Sequence, residues 1–375
     1  MDSATDEVEL LKTDIPKEVL RKTLDSRLTL SAASMVQATS SVRAGSSCEM
    51  RVIGYGGCGI IFEQAGRTDV IKKALKTVDD DLYNDYVSHI AIEESFDKLG
   101  DAFAELPCLP RAYHFISARQ STWWDYNIHR FPKQHGTRDN LLFSERIPAV
   151  PAIIRDALVD EYCLHGPLKD RAKADVANHD CLVRIYLGRK RELRPSGAPR
   201  QVWFALRNFK MDLLRLADLG IETTAFARSM ATALAVMHWH TRLDARDVEF
   251  VLAGRPTETH YYKPVAADFG SREPFSTTIP NKGAGHAVSL WLLDFNQCGR
   301  ISMDQAGVDE AVDAFCANDP YYPRPNVDEQ LWATFRDAYL SASVEIMAGT
   351  DHGFLPGLFV DGVTARLNGK AEGES

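Results

Sequence analysis

The segment Gly54-Tyr55-Gly56-Gly57-Cys58-Gly59 constrains the fold more than any other part of the chain. Glycine permits a tight turn and lets backbone N–H groups come close to a phosphate. The G-x-G-x-x-G spacing serves two kinds of site. In a dinucleotide site it opens a helix; in a kinase-type loop it lies between two strands. Here Ile60, Ile61 and Phe62 favour a strand, a turn follows around Gly66, and Val70-Ile71 leads into Lys72-Lys73. A glycine turn between two strands, with a lysine on the third, is how a kinase-type site approaches phosphate and neutralises it. The same residues also read as a plain β-hairpin.

The rest of the chain extends this order. Leu20, Leu24 and Leu28 predict a helix within 16–40, docked on the main body, and residues 78–98 predict a second. Strands are expected at Met50–Ile53, Ala112–Ile116 and Leu141–Ser144, with loop at 117–140 and 189–201. Beyond about residue 150 the pattern is helical. Phe226, Met230, Leu234 and Met237 mark one face of 222–240, and Leu331, Phe335 and Tyr339 one face of 327–345. Two apolar runs, Val248–Leu252 and Leu290–Leu293, interrupt the helices beside acidic residues. The fold class expected is α+β: a protein-kinase-like two-lobed fold with a small β-rich N-lobe and a larger, mainly helical C-lobe. The expected divisions are a tail and helix (1–48), the N-lobe (49–150), the C-lobe (151–365) and a C-terminal tail (366–375).

Four further motifs carry candidate chemistry. In His238-Trp239-His240-Thr241-Arg242-Leu243-Asp244, a helix leads into a loop that continues through Asp247 to Glu249. A kinase catalytic loop places an Asp and, five residues on, a metal-binding Asn in this way. Asp244 and Glu249 hold those places, and Glu in place of Asn suits a cationic substrate as well as a cation. Leu290–Leu293 delivers Asp294-Phe295-Asn296, a D-F-G-like end in which Asn296 replaces glycine. A literal D-F-G at Asp268-Phe269-Gly270 follows a poorer strand and is read as a decoy. Ser144-Glu145-Arg146 sits where the chain crosses between lobes, so Glu145 reads as a substrate neighbour or as a linker salt bridge. Finally, Arg184, Arg189, Lys190, Arg191, Arg194 and Arg200 form a basic stretch that reads as a phosphate contact or as a solvated loop.

Charge and cysteines narrow the classes. The formal net charge is -9, so a nucleic-acid partner would need a local basic patch. The seven cysteines lie at 48, 58, 108, 163, 181, 298 and 316, with no C-x-x-C pair and no zinc-spaced histidine. This predicts reduced thiols and no metal. No run approaches the roughly 18 apolar residues of a membrane span, and the acidic N-terminus lacks a signal-peptide core. A cytoplasmic protein is expected.

Several blocks together resemble a fungal domain family whose members carry zinc-finger or hypothetical labels. They are S-E-R-I-P-A-V-P (144–151), D-C-L-V-R-I-Y-L-G-R-K-R (180–191), M-A-T-A-L-A-V-M-H-W (230–239), D-V-E-F-V-L-A (247–253), L-W-L-L-D-F-N (290–296), and I-K-K followed by L-Y-N-D-Y (82–86). The resemblance runs from about residue 48 to 345. It implies a member of the fungal arginine-containing cyclodipeptide synthases. The implied reaction joins arginine from arginyl-tRNA to a second amino acid from its own tRNA, giving a cyclo-Arg-Xaa diketopiperazine without a cofactor.

On that resemblance the parts are assigned as follows. Asp244, Glu249, Asp294 and Lys72 are catalytic, with Lys72 anchored to Glu93 or Glu94 or bound to phosphate. Asp247, Glu145, Asn296, Gly54, Gly56 and Gly59 bind substrate. Arg184, Arg189, Lys190 and Arg191 contact tRNA. Cys58 and Ser144 are the candidate nucleophiles if an acyl-enzyme forms. An ATP-dependent phosphotransferase and a pseudokinase binding module are the rival expectations.

Overall fold

The computed structural model describes residues 14–25, 49–75, 80–191, 202–255 and 288–373. The chain is α+β, with helices and two small sheets. In chain order the first half contains α1 (Pro16–Leu24), β1 (Met50–Tyr55), β2 (Gly59–Gln64), β3 (Asp69–Ala74), α2 (Asp81–Leu99), β4 (Ala112–Ile116), α3 (Ser121–Asn127) and β5 (Leu141–Glu145). The second contains α4 (Ala152–Tyr162), α5 (Gly166–Ala174), β6 (Val183–Tyr186), β7 (Phe209–Asp212), α6 (Leu213–Asp218), α7 (Thr224–Ala235), β8 (Glu249–Gly254), β9 (Val288–Leu293), α8 (Gln305–Ala317), α9 (Glu329–Ile346) and α10 (Leu355–Gly373).

The first sheet has the order β1-β2-β3-β5-β4 and is antiparallel throughout. The glycine segment forms the β1–β2 turn, closed by the Gly56 N–H donating to Gly59 O at 2.8 Å. Successive strand residues face opposite sides, so the paired lysines of β3 part company. Lys72 meets Asp85 and Asp294, while Lys73 pairs with Asp139 and lies over the Trp124 ring.

The second sheet has the order β7-β6-β8-β9, with β6 and β7 parallel and the other pairs antiparallel. The two apolar runs seen in the sequence are thus neighbours: Glu249 pairs with Leu293, and Val251 with Trp291. Around them α7, α8, α9 and α10 build the main core, which includes Phe335, Tyr339, Phe359 and Phe315. Local chemistry sets the helix starts. Asp212, Asp304 and Asp328 each accept a backbone N–H in the first turn of α6, α8 and α9.

The segment that leads from α2 into β4 pairs with the edge of the second sheet. Cys108 N–H donates to Leu290 O at 2.8 Å, and Leu292 N–H donates to Cys108 O at 2.9 Å. A four-member ion network adds to this. Arg51 on β1 contacts Asp180 at 2.7 Å and pairs with Glu63, and Arg146, just past β5, contacts Glu63 at 2.7 Å and Asp180 at 2.9 Å.

Several expectations are corrected. Segment 117–140 is not a loop: it holds α3 and two short 3-10 turns, Ile128–Arg130 and Lys133–His135. Its anchor is Trp124, fully buried in the core of the first sheet. Helix α7 ends at Ala235 and continues as a π-turn, Val236–Thr241, closed by Arg242 at φ 61°. Strands β6 and β7 were not foreseen. Helix α10 runs to Gly373, through most of the expected C-terminal tail. The later part of 16–40, the loop residues beyond Arg191 and the literal D-F-G at 268–270 lie outside the described residues. No described helix is long and apolar enough to cross a membrane.

Candidate active site

Three elements converge on Lys72. Its Nζ donates to Asp85 Oδ2 on α2 at 2.5 Å and to Asp294 Oδ1 past β9 at 2.8 Å. Burial works against the charge, but the Asp294 and Asp85 carboxylates hold the lysine well above its ordinary pKa. The Gly59 residue above it has no room for a side chain. A Cβ there would lie 2.9 Å from Lys72 Cγ and 3.0 Å from Lys73 O.

Helix α2 is pinned at this place by consecutive residues. Asp85 Oδ1 accepts the Phe295 N–H at 3.1 Å, and Asn84 Nδ2 donates to Asn296 O and Cys298 O at 2.8 and 2.9 Å. One turn near the other end, Ser95 Oγ accepts from Thr241 Oγ1 at 2.9 Å and lies 2.9 Å from His240 Nδ1. Lys72 is therefore not anchored by Glu93 or Glu94. Glu93 instead accepts from Arg111 and from the Ala112 N–H. The phase of α2 on the sheet selects Asp85, which lies about two turns earlier.

A second ion pair stands beside the first. Arg184 Nη2 on β6 lies 2.8 Å from Glu249 Oε1, the first residue of β8. Burial raises the Glu249 carboxyl to about 7; Arg184 opposes this, while Asp294 and Asp247 reinforce it. Burial likewise raises Asp247, helped by Asp294. Asp247 accepts from Gln297 Nε2 at 2.6 Å, and its own N–H donates to Asn318 Oδ1 at 2.6 Å. Arg242, Ala245, Asp247 and Asp294 all have positive φ, between 55° and 66°. Such backbone costs roughly 1–3 kcal/mol per residue and persists only where its surroundings impose it. Two of these residues carry site carboxylates: Asp294, which meets Lys72, and Asp247, near enough to Glu249 to raise it.

The remaining expected site residues fall in other places. Asp244 is tied both to its own loop and to the segment after β9, its Oδ1 accepting the N–H groups of Arg246 and Gly299 at 3.0 and 2.8 Å. Asn296 contributes its backbone carbonyl to Asn84. Glu145, 4% exposed, accepts the Arg111 N–H at 3.1 Å, and burial raises its carboxyl to about 7. Gly54 lies under Ile61, and Gly56 closes the turn. The four basic residues are not one patch. Arg184 belongs to the site, Arg189 lies over the Tyr186 ring, Lys190 pairs with Asp328 at 3.1 Å, and Arg191 is exposed. Cys58 sits near Asp85 and Asp294, where burial keeps its thiol up at about 11, so it is a poor nucleophile.

Asp85 is the candidate site residue to which nothing in the sequence pointed. It lies within the quoted L-Y-N-D-Y block, but no spacing rule connects it to Lys72 across the fold. Arg184 was found, but as a surface contact rather than as the counter-charge of Glu249.

One family model matches the chain: the domain family DUF3669, described as "Zinc finger protein", over residues 290–351. No curated protein matches. The expected kinship with arginine-containing cyclodipeptide synthases is thereby corrected. The match carries the zinc-finger description, covers well under half of the chain, and nothing found supports the synthase family.

The description implies zinc, and the donors can be tested against it. Residues 290–351 contain no histidine and two cysteines, Cys298 and Cys316. Cys298 is buried with its Sγ 3.7 Å from Arg246 O, and burial pushes its thiol well above the ordinary range. Among the described residues, one group brings three possible ligands together: Cys58, Asp85 and Asp294. Lys72 already bonds both of those carboxylates, and the thiol is protonated at neutral pH. Structural zinc needs four deprotonated N or S-type ligands, which these residues do not supply.

Proposed function

We propose that the space between the two sheets is a protein-kinase-like cleft turned from phosphate transfer to aminoacyl transfer. In this reading the chain makes a cyclo-Arg-Xaa diketopiperazine from arginyl-tRNA and a second aminoacyl-tRNA. The proposal rests on the chemistry of the site and not on kinship. The observation that carries it is Glu249, whose half-buried carboxyl is raised to about 7 by desolvation, with Asp294 and Asp247 adding to the rise. A general base works best when its pKa lies near the operating pH. The α-amine of an aminoacyl ester needs such a base.

Charge supports the same reading. Lys72 and Arg184 stand against Asp85, Asp247, Glu249 and Asp294, so the site has surplus acid. A guanidinium suits such a floor because it bonds a carboxylate in a bidentate fork. The substrate ester is already activated. The amine attacks the ester carbonyl, Glu249 takes the amine proton, and the terminal ribose hydroxyl leaves. A second aminolysis closes the ring. Positioning two such groups can supply several kcal/mol of the barrier.

The test is incubation with arginyl-tRNA and a mixture of charged tRNAs, with diketopiperazines detected by mass spectrometry. Product is expected from the wild-type chain and not from Glu249→Ala or Asp294→Ala. Absence of product with every partner overturns the proposal. A phosphotransferase is the second reading, favoured by the glycine turn packed on Lys72. Thermal stabilisation by ATP with magnesium, followed by phosphate transfer, would establish it; binding without turnover would point to a pseudokinase module.

A further inference from the structure

Three cations lie on two tyrosine rings, one in each sheet. Tyr186 on β6 is fully buried, with the Arg189 guanidinium 4.8 Å and the Lys210 ammonium 5.2 Å from its ring centre. Arg207 lies 5.4 Å from the ring centre of Tyr55, the β1 residue that opens the glycine turn. Among the described residues, none of the three has a carboxylate partner. Arg189 Nε and Arg207 Nε are also shut from solvent without an acceptor. In a chain of net charge -9, three cations without counter-ions are unusual. The Asp319 carboxylate nearby is taken by the Tyr186 hydroxyl, at 2.7 Å.

The sheet register connects these cations to the site. Lys210 is the direct partner of Arg184 across the parallel β6–β7 ladder, and Arg184 bonds Glu249. Residues two apart on a strand share a face, so Arg184 and Tyr186 point the same way. Trp203, 71% exposed, precedes Arg207 on the same connecting segment. Two cations on the Tyr186 ring beside the Arg184–Glu249 pair, a third on Tyr55 at the glycine turn, and an exposed aromatic on the segment before Arg207 match a single-stranded phosphodiester chain: phosphates meet the cations and a base stacks on the ring.

We infer that Arg207, Arg189 and Lys210 form a phosphate track that leads the single-stranded end of an RNA to Glu249. This rests on the aminoacyl-tRNA reading above and names the surface that would deliver its substrate. The basic stretch at 189–191 contributes only Arg189 to it. Lys210 and Arg207 come from β7 and the turn before it.

The probe is unacylated tRNA, with binding measured across a salt series for the wild-type chain, Arg189→Gln, Arg207→Gln, Lys210→Gln and the triple variant. Each single variant is expected to lower the slope of log affinity against log salt by about 1. Lys133→Gln, at an exposed site elsewhere, should leave it unchanged. Arg207→Lys should keep the slope, which separates lost charge from lost packing. A triple variant with wild-type affinity and slope overturns the track, as does inorganic polyphosphate competing as well as tRNA at equal charge. The two proposals fail separately. RNA binding with this signature but no diketopiperazine removes the proposed reaction and leaves the track. Product formed by the triple variant at the wild-type rate removes the track and leaves the reaction.

Discussion

Lys72 Nζ lies 2.8 Å from Asp294 Oδ1, a contact spanning 222 residues that joins the third strand of one sheet to the end of the last strand of the other. With the buried Asp85 it forms a triad in which a single buried ammonium serves two carboxylates, Asp294 on the more open side. Removing one partner of a buried ion pair leaves an uncompensated charge, which costs about 3–5 kcal/mol. Lys72→Met should therefore lose stability on this scale in chemical denaturation. Asp85→Asn, which leaves Lys72 paired with Asp294, should lose less. Equal stability of Lys72→Met and wild type would show that the triad adds nothing.

Two carboxyls, the buried Glu145 and the half-buried Glu249, are raised from 4.5 to about 7. The folded chain then holds protons that the unfolded chain has released. Their favourable contribution is complete below the unfolded pKa and fades as pH rises through the folded one. Stability should fall between about pH 4.5 and 7, by up to about 3 kcal/mol for each group. Glu145→Gln and Glu249→Gln should each flatten the fall in melting temperature over that window. Unchanged pH profiles in both variants would count against the burial argument.

The glycine turn offers a paired comparison. A methyl group at Gly59 would press on Lys72 Cγ at 2.9 Å and on the backbone oxygen of Lys73, whereas at Gly57 nothing lies within 4 Å. Gly59→Ala should cost about 1–3 kcal/mol through overpacking and disturb Lys72. Gly57→Ala should be close to neutral. Thermal melts of the two variants side by side check both statements.

The Arg51, Glu63, Arg146 and Asp180 network ties the first sheet to the turn before β6. Asp180, 8% exposed at its side chain, binds both arginines. Asp180→Asn should reduce stability by about 1–3 kcal/mol, as for a charge-assisted hydrogen-bond network losing its acceptor. Added salt should lower wild-type stability more than that of the variant, because the network is only partly shielded from ions. Denaturation at low and high salt measures the difference.

What the sequence determined by itself was local. The strand–glycine turn–strand order, Lys72 on the third strand, Asp294 at the end of an apolar strand and the face of helix α9 all follow from spacing within a few residues. Turn chemistry and side-chain periodicity act over that range. The tertiary structure decided the partners. Glu93 and Glu94 were reasonable counter-charges for Lys72 by helix and charge alone, yet docking of α2 on β4 and β5 turned Asp85 to that position. Strands β6 and β7 are four residues each, too short for periodicity to show, so the pairing of Arg184 with Glu249 was hidden. Asp244 matched a catalytic spacing, and the fold gave it a partner the spacing could not show, the Gly299 N–H 55 residues on. Burial, which depends on every element at once, raised Glu249 to about 7 and made a carboxyl in the sequence into a candidate base in the fold.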